Sequence, residues 1–145
     1  MKSQEQNLNL KRISQLVSIV FLFMLIGTVL ELYLLGHYED TLQLVPILCI
    51  ALSLIFMVAL VFTKTLILFR AFKLVLVLTA LSGLYGTYLH LQSNFEFEYD
   101  MTPTATNWEL FLESLSGALP ALAPLSMVVL ALIGYTYLLI TKQKL

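Results

Sequence analysis

The chain has 145 residues, of which 59% are apolar and only 12% are charged, with a formal net charge of −1. Soluble domains of this size carry about 25% charged residues, so the composition excludes an ordinary water-soluble domain and indicates a protein solvated by lipid. The single cysteine, Cys49, excludes an intramolecular disulfide and a cysteine metal cluster, and the balanced charge does not favour a nucleic-acid partner.

Four apolar stretches are long enough to cross a bilayer, because about 20 helical residues span a hydrocarbon core of about 30 Å. They run approximately from Ile13 to Leu35, Leu42 to Thr63, Ala71 to Leu91 and Leu119 to Ile140. The connections between the first three are short, which is typical of antiparallel neighbours. We therefore expect one all-α domain over residues 1–145, an integral membrane four-helix bundle that runs up-down-up-down.

The distribution of charge predicts the orientation of these spans. The eight basic residues occupy three places, before the first span, around the second connection and after the last span: Lys2, Lys11, Arg12, Lys64, Arg70, Lys73, Lys142 and Lys144. Eight of the nine acidic residues lie in or near the other two connections. Because basic residues favour the cytoplasmic side, the pattern predicts cytoplasmic N and C termini.

Glu31 lies inside the outer end of the first span, with leucines beside it. A carboxylate at that depth must be paired, protonated or in contact with water. Two interpretations stay open. Glu31 is either a proton, cation or ligand site, or a hydrogen-bonded residue that ties helices together or reaches the interface.

The two histidines, His37 and His90, fall at the outer ends of the first and third spans. Facing helices of a bundle commonly build metal or haem sites, and Glu31, Glu39 and Asp40 could complete a metal shell. The alternative is that both are ordinary interface histidines. We expect first that the protein binds no cofactor, and the alternative is that it binds a haem or a divalent metal.

The second outward connection, Gln92 to Ala118, begins with aromatic and acidic residues that alternate over residues 94–100. This period of two predicts a short extended segment. Its acidic members are Glu96, Glu98 and Asp100.

A short amphipathic helix is predicted next, because Thr106 followed by Glu109 fits a capping box. Its apolar face contains Trp108, Leu112 and Leu115, with Phe111 beside them, and its polar face contains Glu109 and Glu113. We expect this helix to lie at the membrane surface with Trp108 at headgroup depth.

Small residues and prolines mark two further features of the spans. The third span carries a stripe of small residues at Thr79, Ser82, Gly83, Gly86 and Thr87, which predicts a face packed on another helix. In the fourth, Pro120 fits a first turn, whereas Pro124 lies one turn deeper and predicts a kink or a broken first turn.

Four stretches resemble a group of small bacterial membrane proteins with four helices and no assigned activity. The resemblance lies in residues 36–39 with Gln43 and Pro46, residues 94–98, residues 108–110 and residues 118–124. It implies the four-span topology and a bacterial inner membrane.

Three functions are ranked by these observations. The first is a non-enzymatic accessory or scaffold subunit that contacts a membrane protein partner, or a second copy, through its outward acidic loop. Its contact residues would be Glu96, Glu98, Asp100, Trp108, Glu109 and Glu113. The second is an outward metal or haem protein for electron transfer or metal handling, and the third is a proton-coupled carrier centred on Glu31.

Overall fold

The computed structural model describes residues 2–142, and every regular element within that range is helical. The elements are α1 (Lys2–Leu34), α2 (Thr41–Phe62), α3 (Leu66–Met101), α4 (Asn107–Ser114), a 3₁₀ turn (Ala123–Leu125) and α5 (Ser126–Lys142). The predicted all-α class is therefore confirmed.

Four helical segments are long and apolar enough to cross a membrane: Gln4–Leu34, Thr41–Phe62, Leu66–Met101 and Ala123–Lys142. This number confirms the four apolar spans expected from the sequence, although α1 and α3 extend beyond the predicted ends. Apolar composition is sufficient to predict the number of these segments, because a long apolar stretch in lipid must pair its backbone groups within a helix.

The turn between α1 and α2 begins with a glycine that ends α1 and finishes with an aspartate that caps α2. Gly36 adopts a φ of 66°, the left-handed conformation that glycine takes most readily, and ends α1. The next amide, that of His37, donates to the carbonyl of Leu32 at 2.8 Å. Asp40 then caps α2 in a reciprocal capping box with Gln43. The backbone of His37 is thus held between two well-formed helix ends.

The core is formed where α3 packs against α2 and α5, and α1 packs against α5. Four aromatic rings, one from each long helix, meet at its centre. Phe72 of α3 lies 6.2 Å from Phe21 of α1, 6.0 Å from Phe56 of α2 and 6.5 Å from Tyr137 of α5, measured between ring centroids. Such pairs contribute about 0.5–1.5 kcal/mol each beyond the area that they bury.

The small residues of α3 permit close approach to the chain segment that opens α5, as predicted. A Cβ atom at Gly83 would lie 2.6 Å from the carbonyl oxygen of Pro124 and 2.9 Å from Cβ of Met127. One at Gly86 would lie 3.0 Å from Cβ of Pro124. The stripe is therefore a packing face.

The first turn of the last span is broken, as its prolines predict. Pro124 belongs to the 3₁₀ turn, and the α-helix begins only at Ser126. Residues 119–122, which the sequence assigned to the span, are not α-helical.

The predicted extended segment over residues 94–100 is wrong, because α3 continues through it to Met101. The helix has 36 residues and is about 54 Å long, far more than a bilayer core requires. Local bonds favour the helix: Gln92 donates to the Glu96 carboxylate at 2.9 Å, and Thr102 closes the last turn on the Glu98 carbonyl. The alternation misled because Phe97 and Tyr99 are exposed in the helix and share no buried face.

Candidate functional site

The end of α3 and the helix α4 form a helical hairpin over residues 92–118. We call it the outward hairpin, after the side of the membrane that the charge pattern predicts for it. Asn94, near the middle of the extension of α3, donates to the carbonyl of Ser114, the last residue of α4, at 2.9 Å. Because only five residues separate Met101 from Asn107, α4 must return along α3. The short helix predicted in this connection, α4, therefore packs on the C-terminal part of α3.

Asn94 is the polar centre of this hairpin and is only 2% exposed. Its amide nitrogen also donates to the carbonyl of Leu119 at 2.7 Å, and its amide oxygen accepts from the backbone nitrogen of Leu119 at 3.0 Å. Gly117 fits against it, since a Cβ there would lie 2.6 Å from Cγ of Asn94. One side chain thus fixes both the end of α4 and the segment that leads to α5.

The capping box of α4 is confirmed. The Thr106 hydroxyl accepts from the Glu109 amide at 3.3 Å, and the Glu109 carboxylate accepts from the Thr106 amide at 2.8 Å. The Thr106 hydroxyl also donates to the Glu109 carboxylate at 2.9 Å. The bonds that this carboxylate accepts from the Thr106 amide and hydroxyl lower the pKa of Glu109 from its usual value.

The face of α4 that packs on the protein differs from the predicted apolar face. Leu110 and Ser114 are buried, whereas Trp108 is 66% exposed, and Leu112 and Leu115 are exposed as well. The contact with α3 is made by the opposite side of the helix, by one leucine and one serine, and the serine hydroxyl is satisfied by the Phe111 carbonyl at 2.7 Å. The placement of the apolar face at the membrane surface stays a prediction.

All six residues predicted to contact a partner lie on the outward hairpin. Five are exposed, and Glu98 is half-buried. The hairpin contains five acidic residues and no basic residue. Exposed aromatic side chains lie among these carboxylates: Phe97, Tyr99, Trp108 and Phe111, the last two stacked at 5.8 Å.

The structure brings His37 and His90 together at the base of the hairpin. Their ring centroids lie 6.4 Å apart in an edge-to-face arrangement, and both residues are half-buried. The Nδ1 atom of His90 lies 3.1 Å from the carbonyl oxygen of Pro120. Burial, and then the proximity of His90, lower the pKa of His37.

The carboxylates proposed to join the histidines are all exposed. Glu31 lies on the surface of α1, Asp40 is engaged at the cap of α2, and Glu39 precedes Asp40 in the same turn. Among residues 2–142, no group of three or more His, Cys, Asp or Glu side chains is arranged to hold a metal ion.

Two contributors to this region were missed from the sequence. The alternating pattern gives Asn94 no role of its own, and its residue type does not distinguish it from the exposed amide of Gln92. The contact of the Pro120 carbonyl with His90 is not predictable from the sequence, because every residue has a backbone carbonyl whatever its type.

Comparison with known proteins gives no family or relative for this chain. No family model, no curated protein and no solved structure matches it. Its function must therefore be argued from the outward hairpin and the histidine pair alone.

Proposed function

We propose that this protein is a non-enzymatic accessory or scaffold subunit of a membrane complex, and that its outward hairpin binds a protein partner with a basic surface. The observation that carries the proposal is the outward hairpin itself, an ordered helical projection whose exposed aromatic side chains lie among five carboxylates.

The exposed aromatic side chains favour protein recognition over lipid contact. Trp and Tyr are enriched among the residues that dominate binding energy at interfaces. Trp108 and Phe97 are exposed on a hairpin that extends α3 beyond the length needed to span a bilayer. We therefore expect them to contact a partner in the aqueous phase or at the level of the headgroups.

The charge of the outward hairpin specifies the chemistry of that partner. Five carboxylates without a compensating cation attract a basic surface and repel an acidic one, including a second copy of the same hairpin. A partner with Lys or Arg around an apolar centre is therefore favoured over a homodimer through this face.

The membrane arrangement belongs to the same proposal. We place the four long helices as an up-down-up-down bundle in a bacterial inner membrane, with both termini cytoplasmic. The support is the short α1–α2 and α2–α3 connections and the segregation of basic residues from the hairpin.

A carrier centred on Glu31 receives less support. The Glu31 side chain is exposed on the surface of α1, whereas Ser53 and Thr79, which are fully buried, offer only hydroxyl groups.

Photo-crosslinking in the native membrane tests the proposed docking function. A photoreactive phenylalanine analogue at Trp108 should give a discrete protein adduct, whereas the same analogue at Leu132, equally exposed on α5, should give none. Reversing two exposed charges outside the cap with Asp100→Lys and Glu113→Lys should reduce the adduct several-fold, because the partner is basic.

The charge control is Glu5→Lys, an exposed acidic residue of α1 outside the hairpin, which should leave the adduct unchanged. An absent Trp108 adduct, or one insensitive to the hairpin charges, would contradict the proposal.

A further inference from the structure

The two histidine rings lie close together, with 6.4 Å between their centroids, and this proximity is the first observation that points to a pair of metal ligands. Their backbones are fixed independently, since the His37 amide bonds the Leu32 carbonyl at 2.8 Å and His90 lies within α3. Neither ring is deeply buried, so an ion could reach both from the aqueous side.

The hydrogen bond of His90 determines which of its nitrogens can bind a metal. A carbonyl oxygen only accepts, so Nδ1 must carry the proton that it donates to Pro120 at 3.1 Å. In the neutral ring, Nε2 then holds the free lone pair. Ligating histidines commonly donate their second ring nitrogen to a backbone carbonyl in this way, which fixes the tautomer and the ring orientation.

The spacing of the rings agrees with one shared ion. With metal–nitrogen bonds of about 2.0–2.1 Å and about 1.1 Å from nitrogen to ring centre, two imidazoles on one ion have centroids about 5 Å apart at a tetrahedral angle and about 6.3 Å apart when linear. The observed separation of 6.4 Å matches the linear arrangement and requires about 1.4 Å of closure for the tetrahedral one, which side-chain rotation of two half-buried rings supplies.

We propose that His37 and His90 bind one hydrated transition-metal ion of the class that imidazole prefers, such as Zn²⁺, Cu²⁺ or Ni²⁺, at the base of the outward hairpin. Water completes the coordination, because the described part of the chain brings no third His, Cys or carboxylate ligand to the pair. The ion would link the α1–α2 turn to α3. The site is independent of the partner-binding function proposed above.

Metal titration of the purified full-length protein in lipid nanodiscs tests this site, after metal is removed with a chelator. Calorimetry with Zn²⁺ should show one ion per chain, and Zn²⁺ should raise the melting temperature. His90→Asn is the sharpest variant, because its amide nitrogen can replace Nδ1 at the Pro120 carbonyl while Nε2 is lost. It should retain the metal-free melting temperature and lose affinity at least about tenfold.

His37→Asn also removes one proposed ligand, and it leaves the hydrogen bond between His90 and the Pro120 carbonyl intact. Its Zn²⁺ affinity replaces the measurement on His90→Asn if that variant does not fold. With Cu²⁺, electron paramagnetic resonance should show coupling to two imidazole nitrogens in the wild type and to one in either variant. Zn²⁺ affinity unchanged in His37→Asn would overturn the proposal. So would a Soret band in the purified protein that both variants lose, because the ligand would then be a haem.

Discussion

At the scale of single residues, Asn94 is the side chain on which the outward structure depends most. It is buried and satisfies three backbone groups in two segments that lie 20 to 25 residues further along the chain. If the Asn94 side chain is removed, each of these backbone groups loses its hydrogen bond while it stays buried. An unsatisfied buried group costs about 1–3 kcal/mol of stability. No other polar side chain in the described hairpin makes as many long-range bonds.

Replacement of Asn94 by Asp tests this role with nearly unchanged volume. The carboxylate can still accept from the Leu119 amide but cannot donate to the carbonyls of Ser114 and Leu119. We expect Asn94→Asp to destabilise the hairpin by about 2 kcal/mol or more, seen as faster hydrogen exchange over residues 106–119. The matched control is Gln92→Ala, two residues earlier and exposed, which should leave that exchange unchanged. Equal protection in Asn94→Asp and wild type would contradict the assigned role.

At the scale of the element, α4 is a helix of only eight residues, too short to be stable by itself. Its reciprocal cap and its packing on α3 therefore decide whether it forms. The cap depends on an ionised Glu109, whose pKa is lowered because the carboxylate accepts from the Thr106 amide and hydroxyl.

This cap makes the stability of α4 dependent on pH. A carboxyl group with a lowered pKa stabilises the folded form above its unfolded pKa of about 4.3, and that contribution is lost as the pH falls through the lower folded value. We expect the protection factors of the α4 amides, which are exchange rates corrected for the pH dependence of the intrinsic rate, to fall on acidification from pH 6 to below 4, measured by nuclear magnetic resonance. Glu109→Gln should remove this dependence, whereas Glu113→Gln, on the same helix but outside the cap, should retain it.

At the scale of the whole molecule, orientation in the membrane is the property that all functional proposals share. Single-cysteine variants in a Cys49→Ala background report it by their reaction with a membrane-impermeant maleimide. Glu98→Cys in the hairpin should be labelled from the outer side of intact spheroplasts, and Lys64→Cys in the α2–α3 connection only after permeabilisation. The reverse pattern would invert the topology and place the histidine pair in the cytoplasm.

The sequence by itself determined the features that depend on local composition. The number of spans follows from apolar length, because lipid forces backbone groups to pair within each helix. The cap at Thr106 and the broken turn at Pro124 likewise depend on residues within a few positions of one another. The small-residue stripe of α3 marked a packing face for the same local reason.

Only the tertiary structure decided how distant segments meet. The continuation of α3 to Met101 places Asn94 against Ser114 and Leu119, which lie 20 and 25 residues further along the chain. The approach of His37 to His90 depends on where a turn after α1 lies against α3. Such contacts result from packing between helices, and the apolar pattern of a lipid-exposed helix does not encode which side faces which partner.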